Sequence, residues 1–184
     1  MARHRKSINE VGHAHELTFT CYRRFPFLKA ERTCQWLAEA IDTARTEHSF
    51  LLWAYVFMPD HAHVILLPTS EEHPISSILK AIKAPVGRQG VEFLEANAPQ
   101  WLPKITRQRG QKTERLFWQS GGGYDRNVIA PKTLLKMIDY LHANPVRKGL
   151  VTRPRDWKWS SAAWYDDRSP IPLAVDPIPA DWLC

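Results

Sequence analysis

The run Phe50-Leu51-Leu52-Trp53-Ala54-Tyr55-Val56-Phe57-Met58 is apolar and rich in β-forming residues. Two residues of turn chemistry, Pro59-Asp60, separate it from a second such run, His61–Leu67. Two strands joined this closely return antiparallel, as a hairpin. Beyond its histidines the second run is Val64-Ile65-Leu66-Leu67, apolar on both faces, so it forms a rigid and mostly buried platform.

The other segments arrange themselves around this hairpin. His15–Tyr22, HELTFTCY, alternates like a strand, and Arg23-Arg24-Phe25-Pro26 breaks it. Between Lys29 and His48, Cys34, Leu37, Ile41 and Ala44 recur at helical spacing with charges between them. A loop over 68–74 leads to a helical pattern, Ile75–Ala96, which Pro85 is expected to interrupt or kink. Residues 97–115 are polar and strongly basic; a short strand is expected at Leu116–Trp118, then a flexible loop at Gly121-Gly122-Gly123. Pro131 suits the first position of a helix that runs to about Ala143 and stops at Asn144-Pro145. The order β-α-β-β-α-β, then a helix, predicts an α+β fold. It is a ferredoxin-like antiparallel sheet with helices on one face, a further C-terminal helix and an irregular basic tail. The expected divisions are a basic arm at 1–14, one domain over 15–150 and a Pro- and Trp-rich tail over 151–184, with no internal repeat and no clear linker.

Composition narrows the class. With 184 residues, 44% hydrophobic and 24% charged, the chain suits a globular domain with one core. A net charge of +6 fits a nucleic-acid partner. The eight tryptophans can fill a core or stack on bases. Cys21, Cys34 and Cys184 form no CxxC pair, which argues against a zinc ribbon or redox dithiol and suits a reducing cytosol. Met1–Glu10 is polar with no apolar run behind it, and Phe50–Met58 is too short to span a bilayer. A cytoplasmic, nucleoid-associated protein without membrane contact is expected.

Two places carry chemistry. His61-Ala62-His63 opens a strand, where side chains two apart share a face, so both imidazoles can reach one metal ion. Two ordinary histidines at a strand end would look the same. Tyr140 lies on the last helix, offset from the stripe of Leu134, Ile138 and Leu141, with Asn144 four residues on and on the same side. A boundary tyrosine and a helix-stopping Asn remain the plainer reading of that pair.

Two longer segments bear on both places. Val56-Phe57-Met58-Pro59-Asp60-His61-Ala62-His63-Val64-Ile65-Leu66 resembles the histidine–hydrophobic–histidine (HUH) segment of the single-tyrosine insertion-sequence transposases. Tyr140-Leu141-His142-Ala143-Asn144-Pro145-Val146-Arg147-Lys148-Gly149-Leu150-Val151 resembles the helix end and exit of one branch, the REP-associated tyrosine transposases. Phe117-Trp118-Gln119, Tyr124-Asp125-Arg126 and Trp157-Lys158-Trp159-Ser160-Ser161 also resemble that branch, and the likeness runs from about His15 to Trp164. The resemblance implies a ferredoxin-like fold. It also implies a divalent metal, Mg²⁺ or Mn²⁺, held by His61, His63 and Asn144, and Tyr140 as the nucleophile on a catalytic helix. The implied reaction is cleavage and rejoining of single-stranded DNA beside REP-like hairpins through a 5′-phosphotyrosine link. Three departures stand out: Ala62 where a branched residue is usual, a longer basic stretch over 101–115, and the triple glycine.

A tyrosine with an ordinary pKa near 10 needs help to lose its proton, and water or His142 could serve. Phosphate contacts are expected from Arg3, Arg5 and Lys6, from Arg107, Arg109, Lys112 and Arg115, and from Arg147, Lys148, Arg153, Arg155 and Lys158. The partner is single-stranded or hairpin DNA, with no small-molecule cofactor and a monomer favoured over a dimer. Two rivals remain. One is a ferredoxin-like hairpin DNA or RNA binder with no chemistry, against which His61–Leu67 lacks the stacking aromatics such modules use. The other is a metal hydrolase using water, against which no HExxH and no second H-x-[ST] pair occur.

Overall fold

The computed structural model describes residues 12–70 and 74–183. In chain order the elements are β1 (Ala14–Thr20), α1 (Glu31–Glu47), β2 (Phe50–Met58), β3 (His61–Pro68), α2 (Ile75–Asn97), α3 (Leu102–Ile105), β4 (Thr106–Arg109), β5 (Lys112–Arg115), β6 (Tyr124–Val128), α4 (Pro131–His142), α5 (Asn144–Arg147) and α6 (Ala162–Asp167). The main sheet has the order β2-β3-β1-β6, and every neighbouring pair is antiparallel. Helix α1 therefore carries the chain from β1 over β3 to β2, and α2 carries it from β3 over β1 to β6. These are two interlocked β-α-β units, as the element order predicts.

Both faces of the sheet are covered, which is why β2 reads as a continuous apolar run. On the first face, Leu17, Phe19, Tyr55, Phe57, Val64 and Leu66 meet Leu37 and Ile41 of α1 and Ile78 and Ile82 of α2. On the second, Trp53, Val56, Met58 and Ile65 meet Leu134, Ile138 and Leu141, the predicted stripe of α4. The register of β2 shifts between Leu52 and Ala54. The buried thiols of Cys21 and Cys34 are both pushed up to about 12 by desolvation, so neither is a ready thiolate.

Two expectations differ from the structure. The fourth sheet strand is Tyr124–Val128, not Leu116–Trp118. Phe117 and Trp118 serve as core plugs instead: Phe117 stacks on Phe27 at 4.8 Å, and Trp118 meets Phe19 edge-on at 5.2 Å. Their backbone makes isolated links only, such as Tyr22 N–H to Phe117 O at 2.8 Å. Secondly, α2 runs unbroken past Pro85. The lost hydrogen bond costs about 3 kcal/mol, offset by burial of Ile78, Ile82 and Val86 on either side of the proline. Close approach also helps, since Gly90 leaves room for the Phe117 ring, which a β-carbon would meet at 2.3 Å. Within the polar, basic stretch, β4 and β5 form a separate two-stranded ribbon.

The segment after Val151 closes the outer edge of β2. Phe57 N–H donates to Trp159 O at 2.8 Å, and Ser161 N–H to Tyr55 O at 3.0 Å. Trp159 and Leu173 enter the first core, while Trp182 enters the second, 5.1 Å from the ring of Trp53.

Gly123 sets where β6 begins. Its φ is +81°, and a β-carbon there would lie 2.1 Å from the backbone oxygen of Thr18. Neither partner can move without breaking the β1–β6 pairing. Gly123→Ala is expected to destabilise the fold by ~2–4 kcal/mol, read as a lowered urea midpoint at unchanged slope. A loss well under about 1 kcal/mol would show that this loop shifts freely.

Candidate active site

The β1–β3 register brings the chemistry together. Thr18 stands opposite His63, and Thr20 opposite His61. Leu17, Phe19, Val64 and Leu66 point into the first core, so the alternate residues Glu16, Thr18, His61 and His63 face the α4 side. The two imidazoles are 4.9 Å apart between centroids and nearly perpendicular, at 78°.

Each imidazole is held at Nδ1. His61 Nδ1–H donates to Asp60 Oδ1 at 2.6 Å, and His63 Nδ1 is 2.8 Å from Thr18 Oγ1. Holding Nδ1 fixes each ring; in the tautomer that carries its proton on Nδ1, Nε2 keeps its lone pair, the arrangement typical of metal-ligating histidines. Burial pushes His63 down to about 4, helped by the charges of His61 and Arg147, so the ring is neutral at neutral pH. Burial raises Asp60, but the hydrogen bond and charge of His61, with Arg24, outweigh it and leave the carboxyl below its usual range.

Helix α4 supplies the opposite wall. Its stripe is buried, while Tyr140 is 60% exposed. Between sheet and helix lies a cleft of about 670 Å³. Glu16, Thr18, His63, Tyr124 and Arg126 line it from the strands, and Thr133, Lys136, Met137 and Tyr140 from α4. His61 is not on the cleft wall and meets it only through His63.

Asn144 lies one turn beyond Tyr140, at the start of α5 rather than in α4. Its Nδ2 donates to Leu141 O at 3.0 Å, and its Oδ1 accepts from Arg147 at 2.7 Å. The Arg147 guanidinium sits 3.7 Å over the Tyr140 ring. Among the described residues no three His, Cys, Asp or Glu side chains gather closely enough to hold a metal ion. The two neutral imidazoles suit a divalent cation, whereas the amide of Asn144 is engaged with its neighbours.

No family model matches the chain. It is 26% identical over 170 residues to a Haemophilus influenzae protein named for the REP-associated tyrosine transposases, covering 86% of this chain and 85% of that protein. Its fold matches a solved REP-associated tyrosine transposase bound to a REP hairpin, with a TM-score of 0.67 and 21% identity, over 98% of this chain and 96% of that one. The chain is similar to the REP-associated tyrosine transposases in sequence and in fold. This similarity agrees with the resemblance of its two long motifs.

The predicted phosphate contacts divide into groups. Arg3, Arg5 and Lys6 lie outside the described residues. On the ribbon, Arg107 pairs with Glu114 at 2.7 Å and Arg115 pairs with Glu95, while Arg109 and Lys112 are exposed and form no ion pair among the described residues. Arg147 and Lys148 are exposed at the end of α5. In the tail, Arg153 grips Asp156, Arg155 bridges Asp166 and Asp167, and Lys158 pairs with Glu31, so the charge of each is already matched.

His142 is buried. Its Nε2 is 2.8 Å from Ser161 Oγ and its ring packs on Tyr165, on the side of α4 away from Tyr140, so it is no base for that hydroxyl. Glu16, Thr18, Tyr124, Arg126, Thr133 and Lys136 were not read from the sequence as site residues. Lys136 and Thr133 could have been, since they precede Tyr140 by one and two helical turns. The strand residues could not, because only cross-strand pairing brings them beside His63. No helix among the described residues is long and apolar enough to cross a membrane.

Burial also pushes His142 down to about 4. The folded pKa values of His63 and His142 lie below the unfolded value near 6.5, so the unfolded chain takes up these protons first. Stability from both is complete above about pH 6.5 and drains away as pH falls toward 4, by up to about 1.4 kcal/mol per pH unit for each group. Urea unfolding at a series of pH values checks this; a midpoint that stays level from pH 7 to 4.5 would contradict it.

Proposed function

We propose that the chain is a transposase that cuts and rejoins single-stranded DNA beside a hairpin, with Tyr140 as its nucleophile. The observation that carries this is the shared cleft. His63 from a strand and Tyr140 from a distant helix of the same chain face one space, rimmed by Arg126, Lys136 and Arg147. Similarity to a transposase solved with a REP hairpin and to the Haemophilus influenzae protein supports this reading.

In this reading the scissile phosphate lies between the strands and α4. Arg126 and Lys136 neutralise its charge and that of the flanking phosphates. His61 and His63, each fixed through Nδ1, would hold a divalent ion, Mg²⁺ or Mn²⁺. The Asn144 amide joins them if it exchanges Arg147 for the ion. When bound, the ion supplies Lewis-acid stabilisation of charge on the phosphate oxygens. The Tyr140 hydroxyl attacks phosphorus and loses its proton; the bond from phosphorus to the 3′ oxygen breaks. The products are a 5′-phosphotyrosine link and a free 3′-hydroxyl. Arg147, stacked on the Tyr140 ring, places a fixed positive charge against a phenol whose oxygen is negative once its proton has left, which favours that deprotonation. Since one chain supplies both His63 and Tyr140, a monomer carries the whole set.

The engaged amide of Asn144 favours one other reading, a hairpin binder whose chemistry has lapsed. Covalent product separates the two. Incubation with a labelled hairpin carrying single-stranded flanks and Mn²⁺ is expected to give a protein–DNA adduct on a denaturing gel, abolished in Tyr140→Phe. His63→Ala is expected to lower cleavage by about 100-fold or more while hairpin affinity stays within about threefold. Adduct formation at the normal rate in Tyr140→Phe would refute the assignment.

The ribbon gives a second expectation. Arg109→Ala with Lys112→Ala is expected to flatten the slope of log affinity against log salt by about two phosphate contacts. An unchanged slope would remove the ribbon from the DNA interface.

A further inference from the structure

Helix α4 lies between two concavities. One is the Tyr140 cleft, and the other is a space of about 530 Å³ between α4 and the tail, lined by His142, Arg155 and Tyr165 among others. Tyr140 is 60% exposed, so burial of its own ring does little to hold it, and its position must come from the helix. The stripe of Leu134, Ile138 and Leu141 sets how closely α4 approaches the sheet. Apolar contact is non-directional, so it fixes the roll of a helix about its axis less sharply than a hydrogen bond does.

Each residue of a helix turns the chain by about 100°, so Tyr140 and His142 flank the buried Leu141 at about 100° to either side. Whatever grips His142 on one flank therefore sets where Tyr140 points on the other. The grip comes from the tail. His142 Nε2 is 2.8 Å from Ser161 Oγ, and the imidazole packs on the Tyr165 ring at 5.2 Å between centroids.

Both partners are themselves fixed to β2. Ser161 Oγ accepts from Tyr55 N–H at 3.0 Å and donates to Tyr55 O at 3.3 Å. The Tyr165 hydroxyl donates to Trp53 O at 2.8 Å, at the residue where the β2–β3 register shifts. In the tautomer that carries its proton on Nε2, His142 completes the Ser161 hydroxyl, which then accepts two bonds and donates one. Ser161 and His142 are both buried, so water competes little for this bond.

Resting on the DNA-cleaving reading, we propose that His142 is a positioning residue: its bond to Ser161 ties the Tyr140 end of α4 to the covered edge of the sheet and so fixes where the Tyr140 hydroxyl meets a phosphate beside His63. A roll of α4 by about 10° would carry that hydroxyl about 1 Å, and a misplacement of about 1 Å can cost about 100-fold in rate. Ser161 closes the segment Trp157-Lys158-Trp159-Ser160-Ser161, none of whose residues lines the cleft. That segment enters the chemistry through this bond. The tail thus mounts the nucleophile's helix as well as covering β2.

The test uses the full-length protein, hairpin DNA with a single-stranded flank, and Mn²⁺. His142→Phe keeps the ring packing and loses the bond, whereas the amide of His142→Gln can still reach Ser161. His142→Phe is expected to slow single-turnover adduct formation by about 10- to 100-fold while hairpin affinity stays within about threefold. His142→Gln is expected to regain most of that rate. Ser161→Ala is expected to lose about as much as His142→Phe, and the double variant no more than either. An equal loss in His142→Gln, or losses that multiply in the double variant, would overturn the proposal. Amide hydrogen exchange gives a readout that needs no cleavage. In His142→Phe the amides of 138–142 are expected to exchange about tenfold faster while those of β1 and β3 stay unchanged. A uniform change would mark a general loss of stability and would also overturn it. The wild type alone guards against a variant that fails to fold: its 138–142 amides are expected to be well protected, and free exchange there counts against the lock. A wild type with that protection but no adduct removes the cleavage reading and leaves the lock. Adduct formation at the wild-type rate in His142→Phe removes the lock and leaves the cleavage reading intact.

Discussion

The pairing of β1 with β3 is the constraint on which the site depends. It sets Thr18 against His63 and leaves Glu16, Thr18 and both histidines on the α4 side. Because side chains alternate, a slip of one residue would send the histidines into the core beneath α1 and α2 and bring apolar residues to the cleft. What resists that slip is burial on the other face, where Leu17, Phe19, Val64 and Leu66 are fully inaccessible to solvent. The polar side is therefore held in place by the apolar side, which carries most of the free energy of folding.

The same sheet treats its two edges differently. The edge at β2 is closed by backbone bonds to Trp159 and Ser161 and by side chains of the tail. The strand β6 carries polar and half-exposed residues and borders the Tyr140 cleft. An exposed strand edge is a template for unwanted pairing, and the tail removes that liability at β2. Helix α4 completes the plan: its apolar stripe docks on Trp53, Val56 and Ile65, and that docking presents Tyr140 outward over His63.

Much of this was legible in the residues. Strong periodicity announced α1, α2 and α4, and the Phe50–Leu67 hairpin stood out because a β-rich apolar run, a two-residue turn and a second run admit few other folds. The misses have physical causes. β6 is an edge strand of mixed polarity and lacks the alternation of a half-buried strand, whereas Phe117 and Trp118 look like a strand because core-filling aromatics favour the same composition. Pro85 was expected to interrupt or kink its helix; α2 continues past it, with buried Ile82 and Val86 packed on either side. The basic residues over 107–158 looked alike in one dimension, and only neighbouring acids distinguish the paired Arg155 from the exposed Arg109.

The sequence by itself determined the local order of elements and the two chemical motifs, because periodicity, turn residues and spacing act over a few residues and need no distant partner. It also placed Tyr140 off the buried stripe of its helix. Only the tertiary structure decided that Glu16, Thr18 and Arg126 join His63 and Tyr140 around one cleft, that Arg147 sits on the tyrosine ring, and that His142 turns away. Those outcomes depend on strand pairing and on α4 docking across the sheet. Both are set by the summed burial of many side chains far apart in the chain, a quantity no short segment contains.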